Sequence, residues 1–255
     1  MDLGFKDKVV VITGGNSGMG QATAIMMADE GAKVVIAGRN IENNKATEEM
    51  IRARGGDCIS VKCDVSVRED TQNMVDAAME KYGRLDFAVN CAGLGGGRWM
   101  KPFLEHTDKD WDEVVSVNLT GTWMCMQAEV DAMMKSGGGA IVNVISIGGL
   151  IGFPHLTPYA SSKSGIMGLT RTVALEYAQK GIRVNAICPG SFDTPIFRAG
   201  MDLDPEATQH AVDCHPMGRL GLVEEVAFAI CALLSPKNGF MTGTIQACDG
   251  GWSQH

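Results

Sequence analysis

Short, uniformly apolar runs alternate with amphipathic stretches along almost the whole chain. The first run, Val9-Val10-Val11-Ile12, breaks off at Thr13-Gly14, and a helical spacing follows over residues 18–30 until Gly31 stops it. The same alternation recurs. Strands are predicted at 33–37, 59–61, 85–89, 140–145, 182–187 and 244–248. Helices are predicted at 42–54, 67–82, 110–135, 158–179 and 223–234, several closed by glycines such as Gly55-Gly56, Gly83 and Gly137-Gly138-Gly139. Strands that are apolar throughout, rather than at every second position, are buried on both faces. Helices between them supply the crossovers of a parallel sheet.

That pattern predicts an α/β chain with a doubly wound (Rossmann) fold, a parallel sheet of about seven strands and helices on both faces. No linker-like shift in composition, repeat or low-complexity tract divides the 255 residues, so one domain over 1–255 is expected. The net charge of -8 gives no general attraction to phosphate backbones or anionic lipid, which argues against nucleic acid and membrane as partners. No apolar run is long enough for a signal peptide or a span, so a cytoplasmic protein is expected. The eight cysteines are scattered without a Cys-x-x-Cys pair. They read as small buried apolar residues, and no metal site is expected.

The turn after the first run carries the first chemistry. In VVVITGGNSGMG the glycines Gly14, Gly18 and Gly20 permit a tight turn, close approach of backbone to a pyrophosphate, and close packing of helix on strand. The helix that begins there offers unpaired N–H groups to phosphate. The second strand ends in VVIAGRN, with Gly38 where an acid would bind a ribose 2′-hydroxyl and Arg39 next to it. A guanidinium without that carboxylate favours a 2′-phosphate, so NADP(H) is expected, with NAD(H) possible.

The second constellation is YASSK. Tyr159 and Lys163 stand four residues apart on a predicted helix and share a face. A nearby ammonium favours phenolate and would bring a tyrosine towards acid–base work near neutral pH. Ser146 follows the fifth predicted strand, at the sheet edge where such folds hold their ligands, and its hydroxyl could bond a carbonyl or alcohol.

With these residues in this order the chain resembles the short-chain dehydrogenase/reductase family over nearly all its length. TGGNSGMG, including Asn16, Ser17 and Met19, is similar to the family's cofactor loop. Asp64 and Val65 in CDVS match the adenine-contacting segment. NCAG (Asn90, Cys91, Ala92 and Gly93) resembles the family's Asn-Asn-Ala-Gly brace. CPGSFDTP resembles the segment that contacts the nicotinamide, giving Pro189, Gly190, Phe192 and Thr194 as expected contacts. Asn118 in SVNLTG matches the fourth member of a catalytic tetrad with Ser146, Tyr159 and Lys163. The resemblance implies hydride transfer between a nicotinamide and an alcohol or ketone. Tyr159 would be acid or base, with Lys163 lowering its pKa and holding the nicotinamide ribose. Ser146 would polarise the carbonyl, and Asn118 would complete a water-linked proton relay. It also implies a homotetramer, with helices 110–135 and 158–179 at one interface.

Three segments, 94–103, 148–156 and 191–216, should cover the nicotinamide, the last as a substrate lid. Trp99, Met100, Phe153, Leu156, Phe192, Ile196, Phe197 and Met201 make an apolar pocket suited to a bulky, steroid-like or cyclic secondary alcohol or ketone. Arg98 and Arg198 leave room for a carboxylated substrate, and His155 reads as a solvent-facing loop residue. A 3-oxoacyl thioester reductase and a sugar dehydrogenase are the alternatives on the same fold. The acidic charge and the apolar lid count against them respectively. A nucleotide-binding sensor without catalysis is the remote reading.

Overall fold

The computed structural model describes residues 2–95, 99–194, 197–198 and 205–254. Seven strands form one parallel sheet: β1 (Val9–Thr13), β2 (Lys33–Gly38), β3 (Asp57–Lys62), β4 (Phe87–Asn90), β5 (Gly139–Val144), β6 (Ile182–Pro189) and β7 (Ile245–Cys248). Their spatial order is β3-β2-β1-β4-β5-β6-β7. The order therefore reverses between β1 and β4, with Thr13 paired to Asn90 at the carboxyl edge. That reversal opens the crevice where doubly wound sheets bind ligands.

The unbroken apolar runs are explained by two cores, one on each face. Val10, Ile12, Val34 and Ile36 pack with α1 (Gly18–Asp29), whose Ala24 and Met27 are fully buried. Alternate residues Val9, Val11, Val35 and Ala37 face the opposite way, onto Met74 and Val75 of α3 (Arg68–Tyr82). Helix α2 (Ile41–Ala53) covers the β2–β3 end. Every residue of β1 is buried, so no position in it could have been polar without a partner.

One expected element divides. The helix predicted at 110–135 is α4 (Asp108–Val115), a five-residue π turn at 116–120, and α5 (Gly121–Ser136). Among the described residues three further α-helices are placed: α6 (Thr157–Tyr177), α7 (Pro205–Asp213) and α8 (Val223–Leu234). Helix α7 lies inside the segment expected as a lid. Residues 195–196 and 199–204 of that segment, Ile196 and Met201 among them, lie outside the described residues, as does Arg98. Among the described residues, no helix is long and apolar enough to cross a membrane.

Candidate active site

The glycine turn after β1 is built by close contacts rather than flexibility. A Cβ at Gly20 would stand 2.3 Å from the Gly14 carbonyl oxygen, so helix α1 can leave the turn only over a glycine. Gly14 and Gly18 take positive φ of 67° and 50°. Ser17 precedes the helix in extended conformation, and its side chain makes no capping bond, leaving the first N–H groups turned outwards. This turn opens a groove of 410 Å³ across the β1–β4 crevice.

Gly14, Asn16, Ser17, Gly18 and Met19 line that groove, with Arg39, Asp64, Val65, Ala92, Gly93, Tyr159, Lys163 and Thr194. The groove also takes in residues that the sequence did not single out, notably Asn40, Asn43, Val117 and Ile145. Its shape, an uncapped helix end beside a glycine cradle, fits the pyrophosphate of a dinucleotide. Arg39 is exposed at the mouth. Burial pushes the Asp64 carboxyl up, but bonds from Ser66 and the Arg39 charge outweigh it and hold the group below the usual carboxylate range.

Gly38 has a specific reason to be a glycine. A Cβ there would lie 2.5 Å from Asn16 Nδ2 and 2.7 Å from Asn44 Oδ1. Asn16 Nδ2 donates to Asn44 Oδ1 at 2.7 Å, and Asn44 Nδ2 donates to the carbonyls of Gly38 and Val61, both at 2.9 Å. This amide bracket fills the place where an acidic side chain would stand.

Five expected contacts do not line the groove. Gly20 acts in the packing just described. Gly190 and Phe192 line an adjoining pocket instead, and Pro189 ends β6. Asn90 is turned down into the core. Its amide nitrogen donates to Glu129 Oε2 and to Asn143 Oδ1, both at 3.0 Å, because α5 places a fully buried carboxyl beneath β4. Asn143 passes the network on to Thr170 of α6 at 3.0 Å.

The adjoining pocket, 340 Å³, begins where the groove ends. Ser146 and Tyr159 stand in its wall, together with Met100, Phe153, Leu156 and Phe197, as expected, and Trp252, which was not. Trp252 belongs to the segment after β7, and nothing local in the sequence marks it for this pocket. Trp99 instead turns its indole N–H to Glu113 on α4 at 3.4 Å. Arg198 is held in two bonds by Asp193, at 2.5 and 2.7 Å, and His155 is exposed.

Ser146 leaves β5 in extended backbone and accepts from the Gly148 N–H at 3.0 Å, which fixes its hydroxyl at the pocket wall. Tyr159 and Lys163 lie one turn apart on α6, with Lys163 Nζ 5.8 Å from the tyrosine ring centroid. The ammonium donates to the Val144 carbonyl at 3.0 Å. Burial brings Lys163 down to about 8. Burial also raises Tyr159, and the bond to Ser146 pulls it the other way.

Asn118 sits fully buried in the π turn. Its side chain accepts from Leu94 N–H at 2.7 Å, and donates to Leu94 C=O at 3.1 Å and to Ser162 Oγ at 3.2 Å. Ser162 in turn bonds the Tyr159 carbonyl at 2.7 Å. Asn118 thus clamps the strand-edge loop to the helix of the tyrosine. The Thr122 hydroxyl takes up the Asn118 carbonyl at 2.7 Å. A mid-helix π turn of this kind often marks a functional site.

A family model described as enoyl-(acyl carrier protein) reductase matches residues 14–253. The chain is 38% identical over 249 residues to cyclohexanol dehydrogenase of Acinetobacter sp. (strain SE19), covering 98% of this chain and 96% of that one. It is 37% identical over 247 residues to the 3-oxoacyl-(acyl-carrier-protein) reductase of Thermotoga maritima, covering 97% and 98%. The solved structure of levodione reductase superposes with a TM-score of 0.92 at 35% identity, covering 98% and 99%. The chain belongs to the short-chain dehydrogenase/reductase family, oxidoreductases that use NAD(P) on alcohol and ketone groups.

Proposed function

We propose that the protein interconverts a bulky, cyclic secondary alcohol and its ketone, with NADP(H) as the favoured nucleotide. The observation that carries this reading is the 340 Å³ pocket, apolar along Met19, Met100, Phe153 and Leu156, with Ser146 and Tyr159 in its wall beside the groove. A nicotinamide dinucleotide, when bound, supplies or accepts the hydride. Ser146 Oγ holds the substrate oxygen, with the Gly148 N–H fixing its direction. The Tyr159 hydroxyl gives a proton to that oxygen in reduction and takes it in oxidation. The Lys163 ammonium stands close enough to stabilise the phenolate, and Asn118 keeps the Leu94 loop and α6 in register.

Arg39, exposed at the groove mouth beside an amide bracket that excludes an acid, supports NADP(H). The relative acting on a cyclic alcohol supports the substrate class. A 3-oxoacyl thioester substrate is the second reading, favoured by the Thermotoga maritima relative. The chain is read as one domain in the cytoplasm. A homotetramer is proposed with α5 and α6 at one interface, where Trp123 and Leu175 are exposed, and light scattering showing only monomer would overturn it.

The test is nucleotide absorbance with a panel of cyclic alcohols, steroids, sugars and acyl thioesters, in NADP(H) and NAD(H). Turnover of cyclic alcohols is expected; turnover confined to acyl thioesters would replace the proposal with its rival. Tyr159→Phe should retain nucleotide affinity and lose turnover at least a hundredfold, because it removes the acid–base hydroxyl and almost no volume. A fully active Tyr159→Phe would remove the tyrosine from the mechanism.

A further inference from the structure

His215 lies just past α7 and is nearly fully buried, at 3% exposure. Three parts of the chain meet on its ring. The Ser191 N–H donates to Nε2 at 3.0 Å. Nδ1 lies 2.6 Å from the Ala211 carbonyl. The ring edge meets Trp252 at 4.8 Å between centroids, and Trp252 packs on Phe153 at 5.4 Å. Ser191, Trp252 and Phe153 all line the pocket beside Tyr159. Gly190 must be a glycine for the same reason, since a Cβ there would lie 2.6 Å from Nε2.

The partners settle the tautomer. A backbone N–H can only donate and a carbonyl oxygen can only accept, so Nε2 carries a lone pair and Nδ1 the proton. A protonated ring would turn an Nε2 hydrogen against the Ser191 hydrogen, and one of the two would have to move. The Asp249 carboxylate is the charged group whose field reaches His215, and it is itself held by the N–H groups of Gly251 and Ser253 at 3.0 and 2.8 Å. On the other side a small cavity of 130 Å³ is lined by His215, Cys248, Arg219 and Glu225, the last two paired at 2.7 Å. No other charged side chain lines that cavity, among the described residues, apart from Asp249.

We propose that His215 is a positioning residue for substrate: through its acceptor Nε2 and its ring edge it sets the Ser191 and Trp252 walls of the pocket. This rests on reading the pocket as the substrate site. The consequence is a substrate affinity that falls when the acceptor facing the Ser191 N–H is removed, while nucleotide affinity holds, since His215 does not line the groove.

The experiment compares the unaltered protein with His215→Gln, which offers a carbonyl oxygen to Ser191 and cannot be protonated, and His215→Phe, which keeps ring volume without an acceptor. Cyclohexanol serves as substrate with saturating NADP, and nucleotide Kd is measured alongside. In parallel, hydrogen exchange at the Ser191 amide is followed in the protein without nucleotide, with all three proteins at one pH. His215→Phe should raise KM roughly tenfold and leave nucleotide Kd unchanged, by the loss of one buried hydrogen bond, and His215→Gln should restore most of the substrate affinity. Ser191 protection should fall in His215→Phe and be retained in His215→Gln. A KM unchanged in His215→Phe, or Ser191 protection that is the same in all three proteins, would overturn the proposal. Absence of cyclohexanol turnover would count against the substrate reading, and the exchange measurement would still decide the role of His215.

Discussion

Glu129 is a carboxyl sealed in the core between α5 and β4, and it should make this protein lose stability steadily as pH rises. Burial lifts it to about 8 from an ordinary 4.5, against the pull of the Asn90 amide. The folded state therefore keeps a proton that the unfolded chain gives up. Below the ordinary value both states are protonated and Glu129 costs nothing. From there up to about 8 the unfolded chain alone ionises, at about 1.4 kcal/mol per pH unit. The full loss is about 5 kcal/mol, with about 3 kcal/mol already gone at pH 7. Glu129→Gln keeps an acceptor for Asn90 and cannot ionise, so it should match the unaltered protein near pH 5 and exceed it increasingly towards pH 8. Denaturant midpoints, taken every half unit of pH at one protein concentration, read this directly. An offset between the two proteins that is the same at pH 5 and pH 8 would refute the reasoning, and so would a destabilised Glu129→Gln at pH 8.

Two further outcomes are expected around the groove and the pocket. Arg39→Ala should weaken NADP(H) roughly tenfold and leave NAD(H) within about twofold, by the loss of one charge-assisted bond, read as the ratio of Kd values. Gly38→Asp should fail to improve NAD(H) binding, because the Asn16–Asn44 bracket occupies the space for its side chain; tighter NAD(H) in that variant would show that the bracket yields. Trp252→Ala removes one wall of the pocket and should raise KM for a cyclic alcohol about tenfold while leaving it unchanged for a small acyclic one, and equal effects on both would place Trp252 outside the substrate's reach.

The two-sided burial of β1 was written in its composition, because four consecutive β-branched residues have no polar face to expose. The glycine turn and the pairing of Tyr159 with Lys163 were equally plain, since each depends on residues only a few positions apart. What escaped the sequence depends on partners far along the chain. Asn90 looks like a groove residue until Glu129 draws its amide into the core. Trp252 reaches the pocket only because Phe153 and His215 receive it. The break in the helix at 116–120 follows from the bonds between Asn118 and Leu94, which no helical periodicity encodes. Adjacency on a helix gives the proximity of Tyr159 to Lys163 but not the burial of both groups, which comes from the elements packed around them.

That break also works as a phase shifter. Within it Asn118 must face Leu94 and Ser162, while just beyond it Gly121 must sit against Val65, where a Cβ would approach the Val65 carbonyl oxygen to 2.9 Å. An uninterrupted α-helix advances about 100° per residue, and the wider turn alters the angle between those two obligations. Removing one residue here would restore a regular helix, and the chain would then have to choose between clamping its catalytic loop and seating α5 on the nucleotide groove. The length of this segment is therefore fixed by geometry at both ends, in a helix whose exposed face could otherwise vary freely.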